Sequence, residues 1–185
     1  METLFEKTPA CLTGVAERLG VVRLSGIVAQ SIVDGPGLRM AVFTQGCPHH
    51  CPGCHNASTH AFDGGFEMGA DEIMARFHEN PLLSGVTLSG GEPLLQPEGL
   101  LPVARQVRAL GKTVWCYTGY TFEELPAMMR AHRPLERLLR LVDVLVDGRY
   151  EASLRSLTLR YRGSRNQRVL DLPLSFAEGR AVLWE

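Results

Sequence analysis

Cys47, Cys51 and Cys54 lie in one short stretch, Thr44-Gln-Gly-Cys-Pro-His-His-Cys-Pro-Gly-Cys-His-Asn56, spaced to wrap a single inorganic centre. The residues alone leave three chemistries open. A structural zinc site needs a fourth ligand, which His49, His50 or His55 could supply. Cys51-Pro-Gly-Cys54-His55 also matches the c-type haem attachment pattern, a chemistry that goes with secretion and an apolar haem pocket. The third reading is a [4Fe-4S] cube, in which each iron needs one outer ligand and a closed cage takes four thiolates. Three thiolates leave one iron open to substrate.

The elements that position these residues follow from the hydrophobic pattern. The chain has 185 residues and is 45% hydrophobic, enough for one ordinary domain with a core. Helical and strand-like segments alternate from about Gly69 onward, which predicts an α/β fold with parallel strands. Strands are expected at Val21 to Ser31, Arg39 to Gln45, Val86 to Leu88, Lys112 to Tyr117 and Val142 to Val146, with Arg168 to Leu172 as an edge strand. Helices are expected from Ala70 to Glu79 and from Pro97 to Gly111. A third should start at the capping box Thr121-Phe-Glu-Glu124 and break at Pro134.

Gly46-Cys47, Ser89-Gly-Gly-Glu-Pro93, Thr118-Gly-Tyr120 and Asp147-Gly148 each follow an expected strand, which assigns them to one rim. Two adjacent glycines before Glu92 let a ligand approach the backbone closely. A structural zinc knuckle has no need of such a loop, so the rim favours the open iron-sulfur reading.

Composition restricts the partners. A net charge of -1 and a pI near 6.6 provide no basic excess for nucleic acid or an anionic membrane. No signal-like N-terminus or membrane-length apolar run is visible, so a cytoplasmic protein with reduced thiols is expected. Residues 1–20 read as an extension without assigned function, and 21–185 as a single domain. Cys116, Met74, Met128 and Met129 read as core residues. Asp34 fits an Asx turn in Asp34-Gly-Pro-Gly37 or a site near an incoming substrate, and Asp147 either faces a ligand or ends its strand. Six late arginines, Arg149, Arg155, Arg160, Arg162, Arg165 and Arg168, read first as solvated surface and second as a docking patch.

Taken together, the motifs resemble those of radical S-adenosylmethionine enzymes, specifically the activators of glycyl radical enzymes. The resemblance rests on Ser31-Ile-Val-Asp-Gly-Pro-Gly-Leu-Arg39, the cysteine motif through Asn56, and Ser89-Gly-Gly-Glu-Pro-Leu94. Trp115-Cys-Tyr-Thr-Gly-Tyr120, Asp143-Val-Leu-Val-Asp-Gly-Arg-Tyr150 and Arg162-Gly-Ser-Arg-Asn-Gln167 narrow it to activators of anaerobic ribonucleoside-triphosphate reductases. It implies a partial, open parallel β/α barrel. It further implies that Cys47, Cys51 and Cys54 bind three irons and that S-adenosylmethionine chelates the fourth through its amino and carboxylate groups. Reductive cleavage then yields a 5′-deoxyadenosyl radical that takes a hydrogen from a glycine of the reductase. Gly90, Gly91 and Glu92 are assigned to the methionine end, and Gly53, Cys54 and His55 to the adenine, with no acid-base side chain required. The position before the third cysteine, often aromatic in the superfamily, is Gly53 here. The resemblance also implies a low-potential electron donor such as a flavodoxin. An activator of pyruvate formate-lyase and a non-catalytic zinc or iron-sulfur module are the competing readings.

Overall fold

The computed structural model describes residues 20–185; the N-terminal extension, apart from Gly20, lies outside the described residues. Seven strands form one sheet in the order β3-β1-β2-β4-β5-β6-β7. They are β1 (Val21–Ser31), β2 (Arg39–Thr44), β3 (Phe66–Gly69), β4 (Gly85–Gly90), β5 (Thr113–Tyr117), β6 (Val144–Asp147) and β7 (Arg168–Asp171). The parallel expectation holds for β2, β4, β5 and β6. It fails outside them: β1 runs antiparallel to β2 and β3, and β7 antiparallel to β6. The sheet is therefore mixed, because the link from β1 to β2 is a short turn and cannot carry the crossover that parallel neighbours need.

The crossovers are α1 (Ala70–His78), α2 (Pro97–Ala109) and the pair α3 (Leu125–Ala131) and α4 (Arg133–Leu139). In α1, Ala70, Ile73, Met74 and Phe77 fall on one face and are buried. Pro97 opens α2 in its first turn, and Gly111 follows it at φ 71°, in the left-handed region. These helices bury their apolar faces against Val22, Leu24, Met40, Val42, Val86, Leu88, Val114, Cys116 and Leu145, which come from alternating strand positions. Cys116, Met74, Met128 and Met129 are core residues, and burial raises the Cys116 thiol pKa.

The third helix departs from expectation. Glu124 Oε2 does accept the Thr121 N–H at 2.7 Å, which is half of the expected capping box. Regular helix nevertheless begins at Leu125, because residues 121–125 close i→i+3 bonds and Pro126 has no N–H with which to continue them. The break falls at His132 rather than at Pro134, which sits in the first turn of α4. Two short elements escaped the periodicity: β3, and α5 (Leu172–Glu178), capped by Asp171 Oδ1 accepting from Leu174 N at 2.9 Å.

The opposite face of the sheet carries Trp115, Val144 and Val146, covered by Tyr161 and Trp184. Trp115 meets the Tyr161 and Trp184 rings edge-on at 5.3 and 5.1 Å. Arg39 is fully buried beneath them. Its guanidinium donates to Thr87 Oγ1, Thr113 Oγ1 and the carbonyls of Val86 and Thr113, and it lies 5.6 Å from the Trp115 ring. Burial pulls its pKa down to about 10. The C-terminal tail continues past α5 and pairs with β7: Asp171 N donates to Val182 O at 3.0 Å, and Trp184 N to Val169 O at 2.9 Å.

Candidate functional site

The carboxyl ends of β2, β4, β5 and β6 converge on a cavity of about 330 Å³. Cys47, Cys51, Cys54, Gly90, Gly91, Gly119 and Gly148 line it, so the four strand-end loops do share one rim. That volume is at the lower end for small-molecule pockets.

The cysteine loop is shaped by its own backbone. Pro52 and Gly53 take the two central positions of a turn closed by Cys54 N donating to Cys51 O at 3.1 Å, with Gly53 at φ 72°. That places Cys51 and Cys54 at the two ends of one turn. Gly46 N and Cys47 N donate to Thr59 O and His60 O, anchoring the loop start to the 3-10 turn Ala57–Thr59. His50 holds the left-handed region at φ 47°, a position a non-glycine residue occupies only when its surroundings fix it. The bend turns the backbone N–H groups of His49 and His50 toward the Cys47 sulfur. Burial nevertheless dominates and pushes that thiol up to about 11. All three cysteines are free thiols, Cys47 buried and the other two half-buried.

The β4 rim is locked to this loop without side chains between them. Gly91 N donates to Thr44 O at 2.8 Å and Glu92 N to Gly46 O at 2.9 Å. A methyl group on Gly91 would overlap Gly46 O.

Glu92 was expected from sequence at the methionine end of a cofactor. Its side chain is 0% exposed and is not among the cavity-lining residues. The carboxylate accepts from Leu94 N at 3.1 Å, Thr118 Oγ1 at 2.9 Å and Gly119 N at 2.9 Å, and His49 Nε2 lies 2.8 Å away. With these donors its lone pairs are consumed inside the rim. Gly90 and Gly91 do face the cavity.

His49, read from sequence as one of three spare zinc ligands, is committed to Glu92 and stacked edge-on against Tyr120 at 4.6 Å. His50 packs edge-on against His60. Among the described residues, no three His, Cys, Asp or Glu side chains converge as the ligands of a single ion would. His55 lines the cavity, its ring 5.1 Å from that of Tyr150. Tyr150, not singled out in the sequence, comes from the loop after β6 and approaches Gly53.

Asp34 lines the cavity, and its carboxylate accepts the Ser31 hydroxyl at 2.5 Å. Asp147 does not reach it: 1% exposed, it accepts from Phe122 N at 2.8 Å and pairs with Arg168 at 2.5 Å. Arg168 also binds Glu123 at 2.8 Å. The late arginines are thus not uniformly solvated, and Arg162 donates to Gln167 O at 2.6 Å within its own loop.

Comparison with known proteins places similar chains in one family. Residues 33–170 match the family model described as a 4Fe-4S single cluster domain. The chain is 37% identical over 147 residues to the anaerobic ribonucleoside-triphosphate reductase-activating protein of Escherichia coli (strain K12), covering 75% of this chain and 91% of that one. The protein of the same name from Salmonella typhi is 36% identical with the same coverage, and that of Enterobacteria phage T4 is 36% identical over 74% of this chain and 86% of its own. Among solved structures, QueE from Escherichia coli superposes with a TM-score of 0.45 at 15% identity, over 62% of this chain and 58% of that one.

Proposed function

Because the chain belongs to the family of anaerobic ribonucleoside-triphosphate reductase-activating proteins, radical S-adenosylmethionine enzymes of the oxidoreductase class, we propose that it installs the glycyl radical of such a reductase. The observation that carries this reading is the shared cavity, into which three free thiols and the two-glycine end of β4 open together.

The donor set fits a cluster, since soft thiolates select iron-sulfur centres and none of the three is tied up in a disulfide. Cys47, Cys51 and Cys54 would each hold one iron of the cluster, and the fourth would be left for the amino and carboxylate groups of S-adenosylmethionine. When bound, the two cofactors supply one-electron cleavage of the sulfonium and removal of an α hydrogen from the target glycine.

The chain's own residues position and shield. The N–H groups of His49 and His50 stabilise negative charge on the Cys47 sulfur. The N–H groups of Gly91 and Glu92 are spent within the rim, so the Gly90-Gly91 segment meets the methionine end through carbonyl oxygens, which can accept from the N–H of an iron-bound amino group. Glu92 acts through the rim rather than on the ligand. Gly53, Cys54 and His55 receive the adenine, next to the Tyr150 ring. Proton transfer by a side chain has no part in this scheme.

Residues 21–185 work as one unit, an open β/α barrel around the cofactors. The client is the glycyl radical subunit of the reductase, and a low-potential donor such as a flavodoxin provides the electron. Among the described residues no helix is long and apolar enough to cross a membrane, and the near-neutral charge offers nothing to nucleic acid, which suits a cytoplasmic enzyme.

Anaerobic reconstitution tests the reading. The chain should gain a [4Fe-4S] absorption band, cleave S-adenosylmethionine on reduction, and produce a glycyl radical signal by electron paramagnetic resonance when mixed with the reductase. Cys51→Ala should abolish cleavage. Full cleavage by that variant would sink the cluster assignment, and a radical signal only with a different glycyl radical enzyme would move the client.

A further inference from the structure

His49 and Glu92 form a buried node between three rim loops that nothing in the cysteine spacing requires. The His49 side chain is 4% exposed and that of Glu92 0%. Through Glu92, His49 in the cysteine loop is joined to the loop after β4 at Leu94 and to the loop after β5 at Thr118 and Gly119. Thr118 Oγ1 serves twice, donating to Glu92 and accepting from Tyr120 N at 3.1 Å, so the β5 loop is itself stiffened. Tyr120 then packs its ring against His49.

The space around the node is committed as well. A methyl group on Gly119 would overlap the His49 ring, which cannot move aside without leaving Glu92. His49 is two residues beyond Cys47 and two before Cys51, so its anchorage fixes the backbone between two of the three thiols. His50 beside it takes a left-handed backbone, at φ 47°.

We propose that His49 is a positioning residue which, acting through Glu92, sets the separation and orientation of the thiol loop relative to the Gly90-Gly91 rim that holds S-adenosylmethionine. The assignment rests on the function proposed above. S-adenosylmethionine would have to meet the open iron and the β4 rim with the same methionine end, so a loop free to shift against that rim costs ligand affinity before it costs iron. A charge-assisted hydrogen bond lost at this point corresponds to about a tenfold weakening.

The test compares His49→Leu with His49→Gln in the full chain after anaerobic reconstitution. Glutamine keeps an N–H donor where Nε2 stood, whereas leucine fills the space without one. Iron content, S-adenosylmethionine affinity by equilibrium dialysis, and the electron paramagnetic resonance spectrum of the reduced cluster with and without S-adenosylmethionine are the readouts. Iron should be retained in both variants. The leucine variant should bind S-adenosylmethionine about tenfold more weakly and give a blurred ligand-induced spectral change, while glutamine restores both. Iron lost in the leucine variant would overturn the proposal, since the node would then serve to retain the cluster rather than to set the loop against the rim. Wild-type affinity in the leucine variant, or equal impairment of both, would overturn it. A wild-type chain that takes up iron yet binds no S-adenosylmethionine would instead overturn the functional reading on which the proposal stands.

Discussion

At the scale of single residues, the site is held as much by backbone-to-backbone contacts as by side chains. Gly91 shows how little tolerance this leaves: its amide is bound to Thr44 O, and a β carbon would collide with the backbone of Gly46. Gly91→Ala should therefore cost about 2–3 kcal/mol in urea denaturation, because backbone, unlike a flexible side-chain end, cannot yield cheaply. That the thiols and the rim glycines gather at one cavity was legible in the sequence, because each belongs to a segment at or directly after the end of a strand of the parallel set. The fate of Glu92 was not. Its four partners come from positions as far apart as His49 and Gly119, and no local pattern signals that they converge on one carboxylate.

At the scale of elements, most strands and the first two helices could be read from periodicity and punctuation. The failures share a cause, which is that short elements are decided by partners rather than by their own pattern. β3 has four residues and exists because β1 offers it a ladder. The α3 start moved to Leu125 because Pro126 interrupts the bonds that Thr121 would have begun. Arg168 likewise read as solvated surface, since its carboxylates, Asp147 and Glu123, lie 21 and 45 residues upstream. That ion pair joins β7 to the loop after β5 and has a pH signature. The hydrogen bond from Arg168 holds Glu123 down at about 2, below its ordinary 4.5. The folded state keeps this carboxylate ionised where the unfolded chain protonates it, so its contribution is complete above about pH 4.5 and is lost as pH falls toward 2. Glu123→Gln should flatten the acid limb of stability over that window, read from thermal midpoints between pH 5 and pH 2. The side chain is 60% exposed, so solvent screening limits the loss at neutral pH to about 0–1 kcal/mol.

At the scale of the molecule, one face of the sheet is sealed by the crossover helices and the other by an aromatic cluster whose covering residues, Tyr161 and Trp184, come late in the chain. Trp184→Ala should lower the unfolding free energy by about 2 kcal/mol, since the ring is only partly buried. The chain has two tryptophans, so the variant also leaves Trp115 as the sole indole emitter, and its emission should shift to the red as water reaches it. The same tail meets the outer backbone of β7 through Val182 O and the Trp184 N–H. Those contacts occupy polar groups that would otherwise template a foreign strand. Shortening the carboxyl terminus would therefore give a chain that is weaker and also adhesive, pairing with its own copies along β7 and scattering light in proportion to protein concentration.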